Sequence, residues 1–177
     1  MKRLTVFIVA VLALGALVHV AAIHALPGFI MSKAMAKIGG TSEVNMFVEP
    51  PLATAEARTI VRPSPDLAYS TCVLDLSKGP VRVTVPLTAP YTSVALYSAT
   101  TDNYFVRNDR DSHGKELDVI VLAPGASKPA NVPADSEIVE APTAKGLVLV
   151  RRVVESVEDF PALDAIRQKA TCAPFKG

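Results

Sequence analysis

Side chains suited to acid-base or nucleophilic chemistry are scarce in this chain of 177 residues. His113 is the single histidine beyond the apolar N-terminus, so a Ser-His-Asp arrangement would have to use it. It lies in a polar run, Asn108 to Lys115, that is typical of a solvated hairpin tip. General acids and bases usually need partial desolvation to tune their pKa. The sequence therefore predicts no catalytic residue.

The same polar run contains a fragment of a calcium-binding pattern. Asp109, Asp111 and His113 alternate as ligands would, but the twelfth position of such a loop is Ile120 instead of an acidic residue. A zinc site would need a cluster of cysteine and histidine ligands, which the sequence lacks. We therefore predict no metal site.

The N-terminus has the composition of a membrane-spanning helix. Lys2 and Arg3 precede the range Leu4 to Leu26, whose only ionisable residues are His19 and His24. At 1.5 Å per residue this range spans about 35 Å, enough to cross a hydrocarbon core of about 30 Å. A cleaved secretory signal is the alternative. The histidines lie about 140° apart around a helix, which favours interfacial contacts over a haem site. No cofactor is predicted.

A second, short helix is expected directly after the membrane span. Pro27 is expected to end the first helix, and Met31, Met35 and Ile38 then share one face of a helix over residues 29–38. Two alternatives remain open for this helix: it lies on the bilayer surface, or it packs on the rest of the chain.

Cys72 and Cys172 are the two cysteines, 100 positions apart. An even pair beyond a membrane anchor is typical of an oxidising compartment. A disulfide closing a loop of this size would contribute about 4–5 kcal/mol in the chain-entropy model, and two free buried thiols are the alternative. The disulfide and the anchor together predict a single-pass protein of the bacterial inner membrane with its C-terminal domain in the periplasm.

Short apolar segments joined by turns fill the rest of the chain. Alternation is clear where Val81, Val83 and Val85 are separated by polar residues. Short strands without intervening helices indicate a mainly β protein, an antiparallel sandwich or barrel. Strands are predicted at residues 58–61, 69–76, 81–85, 92–98, 104–106, 117–122, 137–140 and 147–154, with an edge strand at 45–48 and a capping helix at 160–170.

These segments divide the chain into three parts. Residues 1–26 are the predicted transmembrane anchor, 27–44 an interfacial helix and linker, and 45–177 a periplasmic β-sandwich domain. The net charge of +1 argues against nucleic acid as a partner, because binding to phosphates needs a concentrated basic surface.

The entry into the second predicted strand carries a group of candidate binding residues. Arg62 and Asp66 are four apart around two prolines, a spacing that suits an ion pair holding the loop against the sheet. Tyr69 and Ser70 begin the strand, where the tyrosine can bury its ring and hydrogen-bond through its hydroxyl. We favour a structural loop, with a ligand-binding site as the alternative.

This stretch resembles the opening of the domain of unknown function 1254 family. Members carry an Arg-Pro-Asn-x-Asp-Thr-Leu-Tyr-Ser signature before a hairpin like residues 75–81 (DLSKGPV). Here Ser64 stands where the family has Asn, and Leu67 and Ala68 replace Thr-Leu, which puts a family ligand site in doubt. A second block, residues 140–154, resembles a family strand that ends in an arginine and has an acidic residue shortly after it. Arg152 and Asp159 are the counterparts of these two residues.

The resemblance implies a jelly-roll-like antiparallel sandwich and adds Arg152 to the candidate site. It also implies a partner, because family members pair this domain with the domain of unknown function 1214. We therefore expect a membrane-anchored accessory or interaction protein without catalysis, which pairs with a membrane protein carrying that second domain. The alternative is a small-molecule-binding protein or hydrolase with a sandwich pocket near Arg62, Asp66, Tyr69 and Arg152.

Overall fold

The computed structural model describes residues 2–39, 44–54, 63–111 and 116–176. Over these residues the chain forms a long N-terminal helix, nine strands in two sheets, and a short helix near the C-terminus. The predicted fold class is confirmed: the protein is mainly β, with two sheets arranged as a sandwich, an N-terminal helix and a short helix near the C-terminus. The predicted strand at 58–61 lies outside the described residues.

Helix α1 runs without interruption from Lys2 to Gly39. The prediction that Pro27 ends the first helix is wrong. A proline inside a helix costs about 3 kcal/mol, and burial of the residues that follow it offsets this cost. Met31 is buried, and Ala34, Met35 and Ile38 are half-buried against the sheet. Of the two alternatives for residues 29–38, packing on the rest of the chain is the one observed.

The larger sheet has five antiparallel strands in the order β1-β2-β8-β4-β5. Alternate residues of each strand face opposite sides, so the sheet has an inner face against the second sheet and an outer face toward α1. Its strands are β1 (Phe47–Val48), β2 (Leu67–Asp75), β4 (Thr92–Ser98), β5 (Asn103–Asn108) and β8 (Lys145–Val153).

The smaller sheet has four strands in the order β7-β6-β3-β9. Its strands are β3 (Val81–Pro86), β6 (Glu116–Leu122), β7 (Glu137–Glu140) and β9 (Thr171–Pro174). Strand β7 runs parallel to β6, which departs from the expected all-antiparallel pairing. The capping helix α2 (Phe160–Arg167) ends before Ala170, and the residues after it form β9, which the sequence did not predict.

The core lies between the inner faces of the two sheets. Val148 and Val150 of β8 face Val83 and Val119 of the smaller sheet, and all four are fully buried. Each buried valine side chain contributes about 1.5–3 kcal/mol by removal from water. The two sheets are therefore held together mainly by branched aliphatic packing.

Covalent and ionic contacts close the two sides of the sandwich. The predicted disulfide is present: Cys72 of β2 is bonded to Cys172 of β9, with a Cα–Cα distance of 6.6 Å. It joins the larger sheet to the smaller one across the core. On the opposite side, Arg107 of β5 forms an ion pair with Glu137 of β7 at 2.9 Å.

Candidate functional site

Of the predicted site residues that the structure describes, Ser70 and Arg152 come together on one face of the larger sheet, and Tyr69 and Asp66 lie apart from them. Ser70 and Arg152 lie on the inner face of the larger sheet and are fully buried. Tyr69, one position before Ser70, lies on the outer face because successive strand residues alternate. Asp66 is exposed in the turn before β2. Arg62 lies outside the described residues, as does His113.

Arg152 is the most unusual charged residue among the described ones. It is 0% exposed, and its Nη2 donates a hydrogen bond to the Pro86 carbonyl oxygen at 3.1 Å. Within the described residues, its Nε and Nη1 atoms have no hydrogen-bond partner. Burial lowers the pKa of this guanidinium to about 10, while the carboxylate of Glu49 raises it and Arg167 lowers it further. Burying a charge with unmade hydrogen bonds destabilises a fold.

A second buried arginine, Arg167, fastens α2 to the larger sheet. Its Nη1 donates to the carbonyl oxygens of Pro50 and Tyr69, each at 2.9 Å, and its Nε donates to Asp164 at 2.7 Å. These contacts satisfy a side chain that is only 3% exposed. The sequence analysis missed this residue, although Asp164 and Arg167 at an offset of three on a helix were a visible ion-pair signal.

Glu49 completes the polar end of the sandwich. Its Oε1 accepts a hydrogen bond from the hydroxyl of Ser70 at 3.2 Å, which turns the carboxylate toward the inner face. The four polar side chains Glu49, Ser70, Arg152 and Arg167 therefore interact as one group. These four residue types do not make up a Ser-His-Asp triad. Among the described residues, no group of three or more potential metal ligands is found.

A wide opening lies on the other side of the larger sheet. A cavity of about 610 Å³ runs between the end of α1 and the outer face of the sheet, and we call it the outer-face groove. Its third wall consists of prolines that follow β1 and a proline that precedes β2. The three walls are represented by Met31, Ala34 and Ile38; by Thr71, Leu147 and Leu149; and by Pro50, Pro51 and Pro63.

Close contact between α1 and β2 sets one boundary of the groove. A Cβ atom at Gly39 would lie 3.0 Å from Cγ2 of Val73, so the helix end touches the strand directly. Met31 packs on Val73 and Leu147, and Ala34 and Ile38 of the helix line the groove beside the neighbouring row of the sheet. That row contains Thr71, whose register partner on β8 is Leu149, and it forms the floor of the groove.

The polar groups of the groove are few and basic. Lys37 and Arg151 line it, together with the hydroxyl groups of Tyr69 and Tyr97. Nη2 of Arg151 lies 3.4 Å from the hydroxyl of Tyr97. Burial raises the pKa of Tyr97, but the hydrogen bonds from Arg151 and Asn103 outweigh it and leave the pKa below its ordinary value. Tyr69 accepts a hydrogen bond from the backbone N–H of Ser64 at 2.9 Å.

An apolar groove of this size with a few convergent polar groups is the usual form of a ligand site. The pocket predicted within the sandwich stays a prediction, because the outer-face groove lies outside the sandwich and neither Asp66 nor Arg152 is among the described residues that line it. A second, smaller cavity of about 280 Å³ lies beside Glu49 and Cys172 at the disulfide edge. Of the sequence candidates that the structure describes, Tyr69 alone lines the groove.

Helix α1 is long and apolar enough to cross a membrane, and its first part is exposed. The fold and this helix define a class of protein: a β-sandwich that follows a single helix of membrane-spanning length. Residues 44–174 match the family of proteins of unknown function DUF1254. The chain belongs to this family.

Comparison with solved structures finds similarity at low sequence identity, and the first of the two below shares the fold. A protein from Vibrio parahaemolyticus is 17% identical with a TM-score of 0.69, and the match covers 87% of this chain and 37% of that one. An uncharacterised Burkholderia cenocepacia protein is 16% identical with a TM-score of 0.46, covering 72% of this chain and 37% of that chain. This chain thus spans well under half the length of both. No curated protein matches it.

Proposed function

We propose that this chain is a membrane-anchored binding protein without catalysis, which holds an apolar ligand in the outer-face groove. The observation that carries the proposal is the position of the groove. Met31 lines it and lies five residues beyond Leu26, about 8 Å along the helix axis from the end of the apolar span. A ligand in the groove is therefore within reach of the bilayer surface.

The groove has the chemistry of a lipid-chain site. Its walls are mainly aliphatic side chains and prolines, and such surface is stabilised by about 25 cal/mol for each Å² removed from water. The disulfide between Cys72 and Cys172 supports an oxidising compartment, so the sandwich projects into the periplasm from the bacterial inner membrane.

Photolabelling tests the proposal on the full chain in nanodiscs of zwitterionic phospholipid. A long-chain alcohol with a terminal diazirine is irradiated with the protein, and labelled peptides are identified by mass spectrometry. We expect labels on the β8 peptide that contains Leu149, in addition to labels on the membrane span. A label confined to the span would overturn the proposal.

Two tryptophan variants make this test specific. Leu149→Trp fills the groove and should abolish the β8 label while the span stays labelled. Val106→Trp is the matched control, because Val106 lies in the same row of the outer face, is 45% exposed and does not line the groove. It should keep both labels.

We also propose that the protein acts as an accessory subunit of a membrane protein that carries the domain of unknown function 1214. The structural feature that favours a protein partner is the edge strand β5, which has an exposed Val106 and no further strand beside it among the described residues. An open strand edge is a surface for pairing with another chain. Co-expression of both membrane proteins followed by cross-linking tests this, and Val106→Lys should abolish the cross-link.

A further inference from the structure

The charges of the outer-face groove carry an inference about the class of ligand. The groove has two cationic side chains, Lys37 on α1 and Arg151 on β8. No aspartate or glutamate is among the described residues that line it. The described residues thus give the site apolar walls with positive charge, which is complementary to an apolar chain with an anionic end.

Two carboxylates in described segments beside the groove lining accept hydrogen bonds from other groups. Glu49 precedes the proline wall, but its carboxylate accepts a hydrogen bond from Ser70 on the inner face. Asp102 follows Thr101 of the groove lining, but its Oδ2 accepts hydrogen bonds from the hydroxyls of Ser98 and Thr100 at 3.1 and 2.6 Å. Neither carboxylate is paired with Lys37 or Arg151, so both cations can serve a ligand.

The size of the groove restricts the apolar part. A volume of about 610 Å³ holds roughly 20 groups the size of a water molecule, at about 30 Å³ each. That number suits one long alkyl chain and is too small for a lipid with two. Because the groove begins within one or two helical turns of the apolar span, such a chain can enter it from the membrane surface.

We propose that the outer-face groove binds a single-chain anionic amphiphile from the bilayer surface, with its alkyl chain against Leu147 and Leu149 and its headgroup neutralised by Lys37 and Arg151. This inference rests on the proposed function and adds the class of ligand to it. The carboxylate of a free fatty acid and the phosphate of an anionic lysophospholipid share the required chemistry.

Competition in nanodiscs of zwitterionic phospholipid tests the charge of the headgroup. The photoreactive long-chain alcohol labels the groove, and palmitate, palmitoyl lysophosphatidylglycerol, hexadecanol and hexadecyltrimethylammonium compete with it. Charge-assisted hydrogen bonds predict that an anionic competitor is effective at a concentration about tenfold below that of hexadecanol. If palmitate competes more strongly than the lysophospholipid, the ligand is a free fatty acid; the reverse order identifies a lysophospholipid. Equal competition by all four would overturn the inference.

Charge-removing variants locate the effect. The double change Lys37→Gln with Arg151→Gln should remove the anionic advantage, measured as the ratio between the competing concentrations of palmitate and hexadecanol in the same variant. The matched controls are Lys33→Gln and Lys145→Gln, which lie on the same two elements outside the groove lining and should retain the advantage. An advantage that survives the double change would contradict our assignment of the headgroup contacts.

The outcomes for the ligand class and for the proposed function are separable. If the alcohol labels the groove and anionic competitors have no advantage, the function stands and the ligand class is wrong. If the alcohol does not label the groove at all, the function itself fails.

Discussion

The inner and outer faces of the larger sheet are formed by the same strands but are covered differently. On β8, Val148 and Val150 point inward and are 0% exposed beneath the smaller sheet. Leu147 and Leu149 point outward, where α1 covers the first and the groove leaves the second half-buried. The inner face is a closed core, whereas the outer face is apolar but only partly covered.

The outer face of the smaller sheet shows what a water-facing surface of this protein looks like. Arg82 of β3 and Asp118 of β6 form a bidentate ion pair there, with contacts of 2.9 and 2.7 Å. Thr84 and Thr171 join hydroxyl to hydroxyl at 2.6 Å. An antiparallel sheet with one face in water normally shows such polar residues. The apolar outer face of the larger sheet departs from this pattern, which supports our proposal that a ligand covers it beside the helix.

The disulfide between the inner faces is expected to have the largest effect on stability. The double variant Cys72→Ala with Cys172→Ala should lower the free energy of unfolding by about 2–5 kcal/mol, since the bond closes a loop of 100 positions. Urea denaturation of the full chain in detergent, followed by β-sheet circular dichroism, measures this. A reductant should destabilise the wild type and leave the variant unchanged, and equal urea midpoints for both proteins would contradict the prediction.

Truncations at two neighbouring positions of β8 compare the faces directly. Val150→Ala opens a cavity in the closed core and should cost about 2–3 kcal/mol. Leu149→Ala removes more atoms, but it enlarges an open groove and should cost under about 1.5 kcal/mol. Urea midpoints of the two variants decide the order. A larger loss for Leu149→Ala would mean that the outer face is packed as tightly as the inner one.

The buried charge of Arg152 breaks the apolar character of the inner face. Replacing a poorly compensated buried charge by an apolar side chain of similar size is often neutral or stabilising. Arg152→Met should therefore raise the free energy of unfolding by about 1 kcal/mol, as measured by thermal and urea unfolding. Its matched control is Arg151→Met on the outer face, which should change stability by under about 0.5 kcal/mol. A loss of several kcal/mol in Arg152→Met would mean that its guanidinium is well paired.

The ion pair on the smaller sheet should make stability depend on acid. Burial raises the pKa of Asp118, but hydrogen bonds from Arg82 and Ser136 outweigh it and hold the pKa below 3.8. The ion pair contributes about 1 kcal/mol to the free energy of unfolding. This contribution is fully present at pH values above the pKa of an unfolded aspartate, which is near 4. It is lost as the pH falls through the lowered folded value. The urea midpoint of the wild type should therefore be lower at acid pH than at neutral pH, and Asp118→Asn should remove the part of this decrease that is due to the ion pair. The variant of the exposed Asp135, Asp135→Asn, should retain the full decrease. The same decrease in the wild type and in both variants would contradict the assignment.

The sequence predicted the strands better than it predicted their surroundings. The strands predicted at 92–98 and 137–140 coincide with β4 and β7, and the alternation of Val81, Val83 and Val85 is matched by the alternating burial of β3. The sequence analysis missed β9, whose four residues carry too little alternation and become a strand only by pairing with β3. It also wrongly ended the first helix at Pro27. The helix continues because the residues after Pro27 pack on strands that are distant in the sequence, a contact that no local pattern shows.

The candidate site could be predicted only in part. Tyr69 and Ser70 were grouped as neighbours, although alternation already places them on opposite faces. The outer-face groove combines α1, the proline segment and β8, which are far apart in the chain, so no local pattern contains it. The burial of Arg167 likewise depends on carbonyl groups of Pro50 and Tyr69, which lie 117 and 98 positions away.

Asp66, in the turn before β2, belongs to neither face and is expected to have the smallest effect. The sequence suggested a buried pair with Arg62, whose loss would cost about 3–5 kcal/mol. Asp66 is exposed, however, and its structural contact is a backbone one: its carbonyl oxygen accepts the N–H of Val154 at 2.9 Å.

A side-chain truncation at this position keeps the backbone contact. Asp66→Ala should therefore lower the free energy of unfolding by under about 1 kcal/mol, the range of exposed ion pairs. Labelling of the outer-face groove by the alcohol probe should also be unchanged, since Asp66 does not line it. Thermal unfolding and photolabelling of the same sample measure both. A loss of several kcal/mol would restore the structural pair with Arg62, and lost labelling at unchanged stability would extend the binding site from the outer face to this turn.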